Sequence, residues 1–245
     1  MGKAFFGRLG LNITNATTPR FLENGDHPGD FEVNDIELND LESNVSAGRI
    51  QAFALFHEDE RHRPWRAAFH QNINDFGSFP YISIQLADAG ENAKETLIDY
   101  VSSLSDKVDF HYAILYNSDK TSSAWNYAIG SGVTKVDPNE NVLRFAREIP
   151  ELRGGEGRYN GKMLRMVYPI NVINSEHCQI SIDGKTLKDW IENSSDLGKL
   201  SYLSCDLFLW KVPEDELGTI NAWLGHAGKL ISWQVESKQN PRRLP

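Results

Sequence analysis

YISIQLADAGENAKETLIDYVSSLSDKVDFHYAILY, residues 81–116, changes its hydrophobic period twice and thereby sets the fold class. Ile82, Ile84 and Leu86 alternate, which predicts a strand over 81–87 with these three side chains on one face. Asp88 and Glu91 form a capping-box pattern. Leu97, Val101 and Leu104 then recur at i, i+4 and i+7, the spacing of one buried helix face. VDFHYAILY (108–116) returns to strand, and its aromatic and aliphatic content predicts that it is mostly buried. Upstream, IQAFALFH (50–57) reads as another strand.

The same grammar recurs toward the C-terminus. MLRMVYPINVI (163–173) predicts a strand ending near Pro169. Thr186 and Asp189 cap a short helix that carries Leu187, Trp190 and Ile191 on one face, which places Trp190 in the core. GKLSYLSCDLFLWKV (198–212) holds one long strand or two short ones. Pro213 suits the first position of a helix, and Glu214, Asp215 and Glu216 suit its positive end. Leu217, Ile220 and Leu224 give that helix a core face, Gly228 stops it, and LISWQV (230–235) is a final strand. The expected class is α+β: a mixed, largely antiparallel sheet covered by helices, an arrangement open to two related α/β halves sharing a core. Three regions follow: an irregular acidic segment over 1–48, an α+β half over 49–150, and a second over 160–235. The glycine-rich ELRGGEGR (151–158) is the expected boundary.

The chain has 245 residues, 40% of them apolar, which is ample for a packed core. Acids outnumber bases 34 to 25, for a net charge of -9. Nucleic acid and anionic membranes are poor partners for such a surface, whereas a basic protein complements it. MGKAFFGRLGLNITN (1–15) is too short and interrupted for a signal peptide, and position 6 lacks the Ser or Thr of a myristoylation signal. No apolar run reaches the ~20 residues of a membrane helix. The expected location is the cytoplasm, where Cys178 and Cys205 stay reduced.

Candidate chemistry is thin. His57, His62 and His70, with Glu58, Asp59 and Glu60, are zinc-ligand types. Their spacings of five and eight do not stack on one helix face as H-E-x-x-H does, and Pro64 breaks the segment. A charged turn is the simpler reading, and no metal or other cofactor is assigned. RGGEGRYNGK (153–162) fails the phosphate-loop pattern, since Glu156 stands where its first glycine belongs and Met163 follows Lys162. Ile182-Asp183-Gly184-Lys185 contains a D-x-K nuclease element but is first of all a turn signal. His177-Cys178 places an imidazole next to a thiol, yet sequence neighbours rarely face each other correctly. No catalytic residue is assigned, and the chain is not expected to be an enzyme.

The segment between Arg20 and Arg49 carries eight acids and no base: Glu23, Asp26, Asp30, Glu32, Asp35, Glu37, Asp40 and Glu42. Charge runs ordinarily just face water. A single-signed surface of this density is nonetheless relieved by a cationic partner, so these eight form the candidate protein-binding set. Phe31, Val33, Leu38 and Leu41 could anchor a strand or arm within it.

From about residue 160 the chain resembles the immunity protein 52 family of bacterial polymorphic-toxin systems. The resemblance lies in MLRMVYPINVI (163–173) with Ser175 and His177 after it, TLKDWI (186–191), GKL (198–200), LFLWKVP (207–213) and LGHAGKLI (224–231), in that order. It implies a non-enzymatic cytosolic antitoxin that binds and neutralises a cognate toxin. That toxin would be a restriction-endonuclease-like nuclease with a basic surface, often delivered by type VI secretion. Tight inhibition then requires exposed aromatic anchors, to be found among Trp65, Trp125, Tyr127, Trp210, Trp223 and Trp233. Two other classes stay open: a metal-dependent hydrolase built on His57, His62 and His70, and a non-enzymatic adaptor of a secretion system.

Overall fold

The computed structural model describes residues 1–26, 30–62, 64–73, 80–87, 92–119, 126–130, 134–148, 161–204 and 206–234. The chain divides into two compact units, residues 1–108 with 118–129, and residues 109–117 with 130–245. The expected boundary at 151–158 lies outside the described residues. The class is α+β with antiparallel sheets. Among the described residues no helix is long and apolar enough to cross a membrane.

The first unit is built on a five-stranded antiparallel sheet of order β2-β1-β3-β4-β5. Its strands are β1 (Asn15–Phe21), β2 (Phe31–Asp35), β3 (Ala52–His57), β4 (Ala67–Asn72) and β5 (Tyr81–Leu86). The strands expected over 50–57 and 81–87 therefore form. Its helices include α1 (Gly2–Arg8), α2 (Leu38–Ser46) and α3 (Ala93–Ser105). The 1–48 segment, expected to be irregular, instead supplies two helices and the two strands at one edge of this sheet. Its alternation carries no burial signal because β2 is outermost, with Phe31, Val33, Asn34 and Asp35 all exposed.

Direct cross-strand partners share a sheet face, so register assigns the two faces. Leu55, Phe69 and Ile84 lie on one. There α1 comes so close that a Cβ on Gly2 would stand 2.4 Å from Leu55 Cδ1. Phe5 packs against Phe6 and Tyr100, and the Tyr100 hydroxyl donates to the Met1 carbonyl at 3.1 Å. The buried stripe of α3 is Ala93, Tyr100 and Leu104, with Leu97 and Val101 only half-buried. Tyr100 was not among the expected face residues; its ring fills space that α1 provides. The helix starts after Asn92, and the capping-box residues Asp88 and Glu91 fall outside the described residues. On the other face Ala54, Phe56 and Ala68 form a cluster under Trp65.

The second unit holds a four-stranded antiparallel sheet of order β10-β11-β7-β6. These strands are β6 (Tyr112–Leu115), β7 (Ile170–Asn174), β10 (Lys199–Ser204) and β11 (Leu207–Lys211). β6 lies at the edge and is half-buried throughout, not mostly buried as its composition predicts. β8 (Ser181–Ile182) and β9 (Lys185–Thr186) form a separate two-stranded hairpin. Its helices are α4 (Val142–Ala146), α5 (Ser175–Cys178), α6 (Leu187–Glu192) and α7 (Leu217–His226).

Three boundaries differ from expectation, each for a local reason. The strand in 163–173 begins after Pro169 and does not end there, because side chains take up the preceding backbone groups. Val167 N–H donates to Asn221 Oδ1 at 2.8 Å, and Tyr168 N–H to Asn171 Oδ1 at 3.1 Å. Residues 230–234 form single bridges at Leu230 and Trp233, wedged between 164–165 and 139–141, and no continuous strand. Pro213 caps a 3₁₀ turn, Glu214–Glu216, and α7 starts only at Leu217. The 198–212 region resolves into two strands joined as a hairpin. Thr186 and Asp189 form the expected reciprocal capping box, and Gly228 terminates α7 with a φ of 70°.

Candidate functional site

The eight acids of the binding set lie on one continuous edge region of the first unit: the β1–β2 hairpin and the helix that follows. Glu23 and Asp26 are exposed in the turn, Asp30 and Glu32 are half-buried, and Asp35 ends β2 exposed. Glu37 is the N-cap of α2, Asp40 lies in its first turn and Glu42 one turn on, all three exposed. The positive end of α2 thus accommodates Glu37 and Asp40.

The structure corrects the picture of an uncompensated run. Arg20, opposite Glu32 across the ladder, donates to it at 2.7 Å from Nη2 and 3.1 Å from Nε. The Asn34 amide and this guanidinium hold the Glu32 carboxyl below the usual range. Lys3 on α1 pairs with Glu42. Sequence distance conceals both bases, since one precedes the run and the other sits on a different helix.

Among the acids lies an apolar strip. Phe21 faces Phe31 and Pro19 faces Val33 directly across the ladder, so these four share a sheet face. Phe21 is 44% exposed, Phe31 53% and Val33 59%. Large apolar side chains in such number on one short hairpin form a contiguous patch, and patches with a polar rim mark interaction sites. The candidate aromatic anchors differ in burial. Trp210, Tyr127 and Trp233 are buried, Trp65 and Trp223 are half-buried, and Trp125 lies outside the described residues. Trp190, expected in the core, is half-buried, edge-on to Trp223, and donates to the Ile182 carbonyl at 2.9 Å.

The three histidines of the rival hydrolase reading go to different partners. His57 Nδ1 meets the Asn12 carbonyl at 2.8 Å, and His62 Nδ1 meets Asp59 Oδ1 at 2.8 Å. His70 is buried in β4 against the rings of Phe56 and Trp65. Burial lowers its pKa to about 4, so the imidazole is neutral at pH 7. Among the described residues no group of three His, Cys, Asp or Glu side chains is placed to hold a metal ion.

Two other motifs resolve as structure. Asp183 and Gly184 both have positive φ, 50° and 81°, the type I′ geometry of the two-residue β8–β9 hairpin. His177 and Cys178 are buried, and His177 Nδ1 accepts from the Asn174 N–H within the α5 capping box. Burial raises the Cys178 thiol to about 11, which leaves almost no thiolate at neutral pH. Cys205 and residues 153–160 of the glycine-rich segment lie outside the described residues.

No family model, curated protein or solved structure matches this chain.

Sequence reasoning missed one buried polar centre, in the second unit. Arg165 and Glu140 are 1% and 0% exposed and meet at 3.4 Å. The Arg165 guanidinium stacks on Phe145 at 4.1 Å, and Val136 N–H donates to Glu140 Oε2 at 3.2 Å. Nothing local signals the pair, because its members lie on segments that meet only through folding.

Proposed function

We propose that this chain is a non-enzymatic, cytoplasmic immunity protein. It binds a cognate nuclease effector toxin delivered by type VI secretion and so protects the cell that produces both. The observation that carries the reading is the acid-flanked apolar strip of the β1–β2 hairpin. A nuclease must present cations to DNA phosphates, and an acidic surface with apolar anchors complements such a face. The resemblance of residues 163–231 to immunity proteins supports the same assignment.

Energetics divide the labour between charge and apolar contact. Nanomolar inhibition needs about -12 kcal/mol, and exposed charges supply only ~0.2–1 kcal/mol apiece. Covering the exposed half of a phenylalanine, on the order of 100 Å², contributes ~2.5 kcal/mol at ~25 cal/mol per Å². Phe21 and Phe31 together then supply a substantial core of the affinity, while the acids set partner choice and association rate.

The test is titration calorimetry against the nuclease encoded beside this gene, with a melting curve for each variant. Glu23, Asp26, Asp35 and Glu37 are changed together to Lys; this set spares Glu32 and Glu42, whose ion pairs serve the fold. Binding should weaken at least ~100-fold, or ~2.7 kcal/mol, as like charges meet across the interface. A neighbouring gene that encodes no nuclease, or an unchanged affinity in the folded variant, refutes the reading.

A further inference from the structure

The β1–β2 ladder exposes more than side chains. Leu22 N–H donates to the Asp30 carbonyl at 2.9 Å, and Ile36 N–H to the Ala16 carbonyl at 2.9 Å. These two bonds close the ladder at both ends and fix its phase. In an antiparallel pair, hydrogen-bonded and non-hydrogen-bonded positions alternate, so Arg20–Glu32 and Thr18–Asn34 are the bonded pairs between them. Pro19, which has no N–H, falls opposite Val33 at a non-bonded position, as the phase requires. Val33 and Asp35 consequently turn their N–H and C=O groups away from β1. β2 is the outermost strand of its sheet, and Val33 and Asp35 are both exposed. Among the described residues no strand pairs with that side.

We infer that this edge of β2 is a strand-addition site, which takes an extended basic segment of the partner protein as a sixth strand. The inference rests on the protein-binding reading above and specifies how the partner docks. Charge selects the occupant. A second copy of this chain pairing β2 with β2 would bring Asp30, Glu32 and Asp35 of both copies together, and like charges facing across a ladder are destabilising. Charged edges are how sheets avoid joining one another. The same acids attract a strand that carries Lys or Arg.

Register dictates the pattern of that strand. Phe31, Val33 and Asp35 share one face, Asp30, Glu32 and Asn34 the other. An added antiparallel strand places apolar side chains opposite Phe31 and Val33, where they extend the Phe21–Phe31 strip. It places cations opposite Asp30 and Glu32, on the other face. Main-chain bonds to Val33 and Asp35 supply affinity, and the alternation supplies specificity.

The probes are two synthetic nine-residue peptides, one alternating Lys and Val and one alternating Glu and Val, added to the full chain. Hydrogen exchange of the Val33 and Asp35 amides should slow at least ~10-fold with the Lys-Val peptide and not with the Glu-Val peptide. Val33→Pro removes an outward N–H without taking a bond from the β1–β2 ladder. It should weaken Lys-Val binding at least ~10-fold. Equal binding to Val33→Pro, or binding that leaves both amides unprotected, overturns strand addition. Protection that rises with protein concentration in the absence of peptide assigns the edge to a second copy and also overturns it. The exchange measurement needs no variant. If strand addition fails while the four-lysine variant still loses the nuclease, the protein-binding reading stands without it.

Discussion

His70 offers a test of the first unit that needs no partner. It lies on a central strand, 7% exposed, against Phe56 at 5.5 Å and Trp65 at 6.1 Å between ring centroids. Burial holds its folded-state pKa at about 4, below the ordinary 6.5 of a solvated imidazole. Below pH 6.5 the unfolded chain binds a proton that the folded chain refuses, so stability falls as pH falls. The loss runs from pH 6.5 down to about 4, at 1.36 kcal/mol per pH unit, and reaches about 3 kcal/mol in all. Above pH 6.5 both states carry a neutral imidazole and the contribution is flat. The perturbation is His70→Phe, which keeps a ring in the site and removes the titration. Urea unfolding of wild type and variant at pH 7 and pH 4.5 isolates His70, because every carboxylate titrates alike in both. Wild type should lose about 2–3 kcal/mol more than the variant between these pH values. Parallel curves would refute the reasoning. So would a wild-type His70 ring resonance that titrates above pH 6, and this second readout does not depend on the variant folding.

Further outcomes concern the second unit. Glu140→Ala breaks the buried pair with Arg165 and should cost about 3–5 kcal/mol, whereas Glu140→Leu with Arg165→Met should cost far less, both read by denaturant unfolding. Thr186→Ala removes a hydroxyl that accepts from Asp189 N–H at 3.0 Å and should cost ~1 kcal/mol in the same assay. Gly225→Ala would set a Cβ 2.2 Å from the Trp233 ring, so the melting temperature should drop by several degrees while an Ala at exposed Gly218 leaves it nearly unchanged.

The histidine cluster shows where sequence neighbourhood misleads. His57, His62 and His70 look interchangeable in a charged stretch, yet one ends a strand, one closes a turn and one is core. Only the strand register distinguishes them, since it turns His70 onto the face that holds Ala54 and Phe56. The acids show the converse. Their run was legible in the sequence, but the apolar strip among them was not, because the exposed Phe31 and Val33 look like ordinary core residues until β2 is known to be outermost.

What the sequence by itself determined is whatever a few adjacent residues can enforce. The Thr186–Asp189 box, the Asp183-Gly184 turn, the Gly228 stop and the strands around 52–57 and 81–86 all follow from dihedral preference, capping bonds and the strand preference of branched and aromatic side chains. Tertiary structure alone decided the rest. It set Arg20 against Glu32 and Lys3 against Glu42, and it joined Glu140 to Arg165. It gave the backbone before Pro169 to side chains of Asn171 and Asn221 instead of a ladder. It also left β2 at the edge of its sheet. The physical reason is common to all of these: a charge or a backbone amide takes whatever partner the packing brings within about 3 Å, and that partner is chosen by strand order and helix docking rather than by distance along the chain.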